Sequence, residues 1–223
     1  MTYFVGITEQ VCTTTQEELF GTAWVGPNVC IKGPVVLGNH VKIYPGVVIG
    51  YGAEVYDESK QSSSSPIFIG DYTVIRENVV IQRGLDSDPP TEIGRNCYVM
   101  HGCHIAHNCV LGDYVSLAPK VVLGGHTDIL RGATLGIGSM THQWTTIGAY
   151  AMVGMGSVVT RDVSTGLTVI GCPAKLLKEN EVGLVRHKPS AELLVQTAKL
   201  FNEIRRRKGN KRGVITNVSE LWE

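Results

Sequence analysis

The chain has little charge and few aromatic rings. Charged side chains make up 18% of its 223 residues and aromatic ones 7%, where an ordinary domain carries roughly a quarter charged. Lysine plus arginine and aspartate plus glutamate number 20 each, so the formal net charge is zero. That balance gives no reason to expect a nucleic acid partner. Nothing approaches the run of about 18 apolar residues that spans a membrane. The first residues, MTYFVGITEQ, lack the layout of a secretory leader, so a cytoplasmic location is expected. The six cysteines form no CxxC, and a disulfide framework belongs to small secreted scaffolds. With 43% hydrophobic residues the chain does not have the composition of a disordered one. Its glycines follow no G-X-Y period, which excludes collagen. What the sequence has in excess is 26 glycines and 28 valines, the mixture of short strands and frequent turns.

A period of six organises most of it. From Ile93, every sixth residue is Ile93, Val99, Ile105, Leu111, Leu117, Leu123, Ile129, Leu135, Thr141, Ile147, Val153 and Val159. Four residues after each comes a small or β-branched one, from Cys97, Cys103 and Cys109 through Thr127 and Ala133 to Val163. The pattern also runs through Val25, Ile31, Leu37, Ile43 and Ile49, and through Ile69, Ile75 and Ile81. A helix of 3.6 residues per turn cannot keep every sixth residue on one face. Short strands joined by tight corners can, stacked as a parallel β-solenoid. With three hexapeptides per triangular coil, residues 18 apart in sequence stack at about 4.8 Å, the strand spacing.

Polar stretches at 53–66 (AEVYDESKQSSSSP) and 85–92 (LDSDPPTE) interrupt the period and read as loops on the prism. After Cys172 the period stops. Residues 190–207 carry apolar positions at helical spacing, with Ser190 as N-cap and arginines at the far end. A shorter helix over 179–187 and a packed tail at Leu221-Trp222 are also expected. The chain thus divides into a β-solenoid over 1–172 and a C-terminal helical segment over 173–223.

Cys97, Cys103 and Cys109 occupy successive small inward slots, which makes them core fillers. Five of seven histidines lie between 101 and 142: His101, His104, His107, His126 and His142. Zinc is one reading of such a cluster, but no two of these histidines lie five residues apart, the spacing a zinc site on such a solenoid uses, and no metal is expected. The 18-residue rule gives another reading. It aligns His107 with Gly125 and Gln143, and so brings His107, Gly125-His126 and His142-Gln143 into one outward column. An imidazole can serve as general base near neutral pH. A glycine lets its backbone N–H approach and stabilise an oxyanion. Together they suit direct acyl transfer to a hydroxyl or amine, with no covalent enzyme intermediate.

The hexapeptide pattern resembles the left-handed parallel β-helix of the hexapeptide-repeat acyltransferases. Handedness rests on that resemblance, since parallel crossovers are ordinarily right-handed. Within that superfamily, IRENVVIQRG (75–84), HIAHNC (104–109), GGH (124–126), THQW (141–144) and GLVRHKPSAELL (183–194) resemble the UDP-N-acetylglucosamine acyltransferases that open lipid A synthesis. The resemblance covers about residues 20–205. It implies a homotrimer with sites between neighbouring prisms, a UDP-sugar acceptor, and an acyl carrier protein donating through its phosphopantetheine thioester. No bound cofactor is implied. His107 matches the family's general base and Gly125 the glycine facing the thioester carbonyl. His104, His126, His142 and Gln143 match positions around the sugar and acyl chain. Glu58 and Lys60 fall near a sugar-contacting pair, Arg186 matches a phosphate contact and Asn180 a position near the nucleotide. Met152 and Met155 would border the acyl chain.

Three departures stand out. Asn108 follows the base where the family commonly has Asp, which leaves an amine acceptor open. Met155 replaces a small residue, implying a shorter acyl chain. Gly171-Cys172-Pro173-Ala174-Lys175 resembles the ending of CoA-dependent sugar acetyltransferases, so N-acetyl transfer from CoA to a nucleotide-linked amino sugar is the alternative. A non-catalytic trimeric scaffold is a third reading, which the histidine column argues against. Finally, the zero charge is a cancellation: residues 1–170 hold 9 basic and 14 acidic side chains, residues 171–223 hold 11 and 6. The run Arg205-Arg206-Arg207-Lys208, with Lys211 and Arg212, is expected either to steer an acidic carrier protein or to complement a helix end.

Overall fold

The computed structural model describes residues 5–13, 16, 18–57, 59, 64–85, 89–210 and 212–216. Every position named above in the six-residue series from Ile93 to Val159 is buried, and so is the small residue four places after each. Two inward residues per hexapeptide leave strands of mostly two or three residues, and these line up in three sheets of nine, ten and eight strands. We label the three faces of this prism by strands at mid-height. Face C carries Tyr98–Val99 and Ser116–Leu117, face B carries His104–Ile105 and Val122–Leu123, and face A carries Val110–Leu111 and Asp128–Ile129. The chain visits C, B and A in turn, and parallel partners lie 18 residues apart: Tyr98 with Ser116, His104 with Val122, Val110 with Asp128. The family described below gives this prism its left-handed sense.

The loops show in the register. Lys42 pairs with Val74, 32 residues on, and Val74 with Tyr98, 24 on. The excess of 14 matches 53–66. The second loop is shorter than its polar composition suggested, because Thr91 and Glu92 already belong to strand Thr91–Ile93. Thr91 is a fully buried inward residue that follows two prolines, so its polarity misled. Each sheet begins with an antiparallel strand: Val5–Ile7, Gln10–Cys12 and Glu18–Phe20 fold back on the first coil. These strands cover edges that would otherwise invite pairing with another chain.

At the other end Leu167–Ile170 pairs antiparallel with the exposed strand Lys175–Glu179. Helix α1 (Glu181–His187) follows, capped by Asn180, whose Oδ1 accepts from Gly183 N at 3.1 Å. Helix α2 (Ala191–Arg207) starts on Ser190, whose Oγ accepts from Leu193 N at 3.1 Å. Its Phe201 and Ile204 pack on Leu130, Ala149 and Tyr150 of the prism. The chain then returns: Val214–Ile215 pairs in parallel with Asp162–Val163 at the end of face A, where a further coil would otherwise lie. The segment after 172 is therefore helical with two strands, one of them stacked on the solenoid. Residues 221 and 222 lie outside the described residues. No described helix is long and apolar enough to cross a membrane.

Burying side chains such as Ile105 and Leu123 contributes about 1.5–3 kcal/mol each. The three inward cysteines belong to the same core. Burial pushes the thiols of Cys97 and Cys109 up to about 12 and that of Cys103 up to about 11. Cys12 is exposed, and its thiol is lowered mainly by a hydrogen bond with Cys30. At about pH 8 a thiol reacts through its thiolate. Iodoacetamide is therefore expected to label Cys12 and exposed Cys172 quickly in the native protein, and the three inward thiols only after denaturation. Peptide mass mapping checks this, and rapid native labelling of Cys103 would contradict the packing.

Candidate active site

The site lies on the edge where face B turns into face A. Each turn has two corner residues, and the second adopts a left-handed backbone: Asn108 at φ 57°, His126 at 58° and Trp144 at 69°. Asn tolerates that region better than most residues. The expected single column thus resolves into two, because a turn presents two outward positions. His107, Gly125 and Gln143 stack at the first, Asn108, His126 and Trp144 at the second. His142 precedes its turn and stacks under Gly124.

His107 is held through its own neighbour. Its Nδ1 lies 2.8 Å from Asn108 Oδ1. The orientation of that amide is set from outside: Oδ1 accepts from Leu85 N at 3.1 Å, and Nδ2 donates to Pro89 O at 2.7 Å. Asn108 N donates to Thr91 Oγ1 at 2.9 Å, and that hydroxyl donates to Gln82 O at 2.8 Å. An oxygen facing Nδ1 can only accept, so the ring proton sits on Nδ1 and Nε2 keeps its lone pair. An aspartate at 108 could not donate to the Pro89 carbonyl, which gives this asparagine a structural reason.

Nε2 of His107 faces Gly125. A Cβ built there would lie 2.5 Å from Nε2 and 2.6 Å from Cε1 of His107. The backbone of Gly125 is not left-handed, so room beside the imidazole is what requires glycine here. Its N–H has no hydrogen-bond partner among the described residues. A lone pair and a free backbone donor thus sit side by side, one coil apart.

His126 is buried, contrary to the outward strip expected of it. It stands edge-on to His107, with centroids 5.0 Å apart, and stacks flat on Trp144 at 3.7 Å. The end of α2 covers it: Lys208 Nζ donates to His126 O at 2.7 Å and pairs with Asp128 Oδ2 at 2.7 Å. A cavity of about 380 Å³ opens beside the stack, lined by Pro89, Asn108, His126, Asp128, Trp144 and Lys208 among others.

The other candidate residues are dispersed. His104 is half-buried on the outer side of face B, and exposed Gln143 lies on the edge itself. His142 Nδ1 receives Arg212 Nη2 at 2.6 Å. Asn180 caps α1 and donates to Tyr150 O at 2.7 Å, and Arg186 is exposed on that helix. Met152 lies on face C and Met155 on the edge between C and B, 76% exposed. Within one chain, face B separates Met155 from His107. Glu58, Lys60 and Lys211 lie outside the described residues.

The basic run is largely engaged inside the chain. Arg205 Nε donates to Asp162 Oδ2 at 2.7 Å, Lys208 holds Asp128, and Arg207 reaches the same carboxylate at 4.0 Å. Of the four, Arg206 alone makes no ion pair among the described residues. Arg205 and Lys208 thus hold the helix to the prism, while Arg206 and Arg207 stay exposed. Sequence reasoning missed Trp144, Lys208 and Arg212. Trp144 lies 18 residues after His126, so the stacking rule contained it. The Lys208 contact spans 82 residues and has no periodic signature.

Gly125→Ala is expected to displace the His107 ring while the solenoid stays folded. The imidazole resonances of His107 should shift, and catalysis should fall by about 10²-fold or more if the ring is the base. An unmoved ring with intact turnover would remove Gly125 from the site.

Comparison with known proteins gives, among others, four matches. The family model "Bacterial transferase hexapeptide (six repeats)" matches residues 90–125. The acyl-[acyl-carrier-protein]–UDP-N-acetylglucosamine O-acyltransferase of Gloeothece citriformis is 36% identical over 178 residues, 80% of this chain and 64% of that protein. The enzyme of the same name from Halorhodospira halophila is 36% identical over 176 residues, 78% of this chain and 67% of that one. The crystal structure of UDP-N-acetylglucosamine O-acyltransferase from Moraxella catarrhalis superposes with a TM-score of 0.66 at 26% identity, covering 88% of this chain and 94% of that one. The chain spans about two thirds of the length of these curated relatives.

Proposed function

The chain belongs to the acyl-[acyl-carrier-protein]–UDP-N-acetylglucosamine O-acyltransferase family, and from that membership we propose that it moves an acyl group from a carrier-protein thioester to the 3-hydroxyl of a UDP-N-acetylglucosamine-type sugar, as in the first step of lipid A synthesis. The observation that carries this is the His107 ring, whose Nδ1–H donates to the Asn108 amide oxygen and whose Nε2 presents a bare lone pair against Gly125. In the reaction Nε2 takes the hydroxyl proton as the oxygen attacks the thioester carbonyl. The tetrahedral oxyanion accepts from Gly125 N–H. Collapse breaks the carbon–sulfur bond, and the imidazolium returns its proton to the departing phosphopantetheine thiolate. No covalent enzyme intermediate forms.

The working unit is a homotrimer. Val122, Ile137, Met140 and Met155 are exposed along face B and its far edge, an apolar stripe suited to a second copy of the prism. Packing there would bring Met155 of one copy toward the His107 edge of the next, which the separation of the two edges within one chain requires if both are to border one acyl chain. His104, Gln143, Arg186 and Asn180, with Glu58 and Lys60, are proposed to surround the UDP-sugar. Asn108 supports a second reading, since a neutral partner stabilises the imidazolium less than a carboxylate does, and an amine needs less help from a base than a hydroxyl.

One experiment separates these readings. The purified protein is offered acyl-carrier-protein and acyl-CoA thioesters of graded length, with UDP-N-acetylglucosamine or its 3-amino analogue, and the products are weighed. Ester product from the carrier-protein donor supports the proposal. Amide from the amino analogue alone, or N-acetyl product from CoA alone, replaces it. His107→Ala should lose about 10²–10⁴ in rate with the oligomer preserved, and substantial residual transfer would overturn the base assignment. Met155→Gly should shift donor preference to longer chains, and an unchanged profile would reject the idea that Met155 shortens the groove.

A further inference from the structure

The proposed reaction gives His107 a task and assigns no chemical step to His142, which the family resemblance places near the sugar or acyl chain on the same stretch of the B–A edge. Two groups compete for Nδ1 of His142. The carbonyl oxygen of Gln143 lies 3.2 Å away and accepts only. Nη2 of Arg212 lies 2.6 Å away and donates only. The two contacts demand opposite tautomers. With Arg212 in place Nδ1 accepts and the ring proton is on Nε2. Without it, Nδ1–H is free to donate to the Gln143 carbonyl.

Arg212 is brought there by the returning C-terminal chain. Gly213 O accepts from Asp162 N at 2.8 Å, and the next two residues pair with Asp162–Val163. Arg205 Nη2 donates to Arg212 O at 3.4 Å while its Nε holds Asp162. Nε of Arg212 is itself buried and without a partner among the described residues. The guanidinium therefore has one strong contact, and the group that receives it is the His142 ring.

We propose that Arg212 is a positioning residue that fixes His142 as the Nε2–H tautomer, so that this second imidazole is a hydrogen-bond donor to substrate oxygen and not a second base. The role given to substrate rests on the function proposed above; the tautomer does not. The edge then carries two imidazoles of opposite polarity. Asn108 makes His107 an acceptor at Nε2, and Arg212 makes His142 a donor there. A polar oxygen of the nucleotide sugar, hydroxyl or diphosphate, is the class of group such a donor fits.

Long-range ¹H–¹⁵N correlation on the full chain labelled in histidine, at about pH 8.5 where imidazoles are uncharged, reads the tautomer directly. His142→Asn assigns the signal. The wild type is expected to show Nε2–H, Arg212→Ala to switch to Nδ1–H, and Arg212→Lys, which keeps a donor, to restore at least part of the first pattern. An Nδ1–H ring in the wild type overturns the proposal, as does an unchanged ring in Arg212→Ala. If the alanine variant does not fold, the wild type and Arg212→Lys decide. In the transfer assay Arg212→Ala should raise KM for the UDP-sugar about fivefold to tenfold, the size of one hydrogen bond, with the pH profile set by His107 unmoved. An Nε2–H ring in a protein that turns over no UDP-sugar rejects the proposed function and leaves the tautomer assignment standing. An Nδ1–H ring in an active enzyme does the reverse.

Discussion

The structure depends on coils stacking at the strand spacing, with equivalent residues 18 apart. Backbone pairing enforces that distance on every column of side chains, whatever they are. Inside the prism it requires small and branched residues to alternate, which the Cys97, Cys103 and Cys109 slots satisfy next to Val99, Ile105 and Leu111. On the edges it requires neighbours about 4.8 Å apart to accommodate one another. Beneath His107 a side chain would meet the ring, and its absence leaves the Gly125 backbone N–H open to the edge. The pairing of proposed base and donor is thus a consequence of packing, obtained without a loop that has to close.

Geometry alone leaves an imidazole ambiguous, because either nitrogen can carry the proton. Two partners of opposite polarity resolve it on this edge. The Asn108 amide, oriented by Leu85 N and Pro89 O, accepts from one ring. The Arg212 guanidinium donates to the other. Each partner is anchored by chain that lies outside the repeat, one by Leu85 and Pro89 of the loop before Thr91 and one by the C-terminal return. The repeat supplies the position of the rings and the irregular segments supply their chemistry.

That division explains what was legible in the sequence. The period of six, the inward slots, the alignment of His107 with Gly125 and Gln143, and the helix beginning at Ser190 all follow from local spacing. They could be read from residue types alone. Thr91 could not, because a polar residue after Pro89-Pro90 looks like loop, yet it enters the core and binds the Asn108 backbone. His126 looked outward until α2 covered it. Lys208 and Arg212 act across 82 and 70 residues, and no periodicity links a returning tail to the coil it meets.

The charge asymmetry between the two parts of the chain finds its answer in the same place. Face A carries two buried carboxylates among the described residues, Asp128 and Asp162, each 3% exposed. Burial pushes the Asp162 carboxyl up, and the Arg205 guanidinium opposes that shift. Helix α2 brings Arg205 to one and Lys208 to the other. A buried ion pair contributes little net stability against its desolvation cost, but removing one partner strands the other. The pairs therefore act as register pins: a helix sliding by one turn along face A would part both carboxylates from these partners. The pinned end of α2 caps the His126–Trp144 stack, and the chain leaving it delivers Arg212 to His142. Part of the positive charge that suggested either an external acidic partner or a complemented helix end thus pins the C-terminal segment to the edge that carries the proposed site.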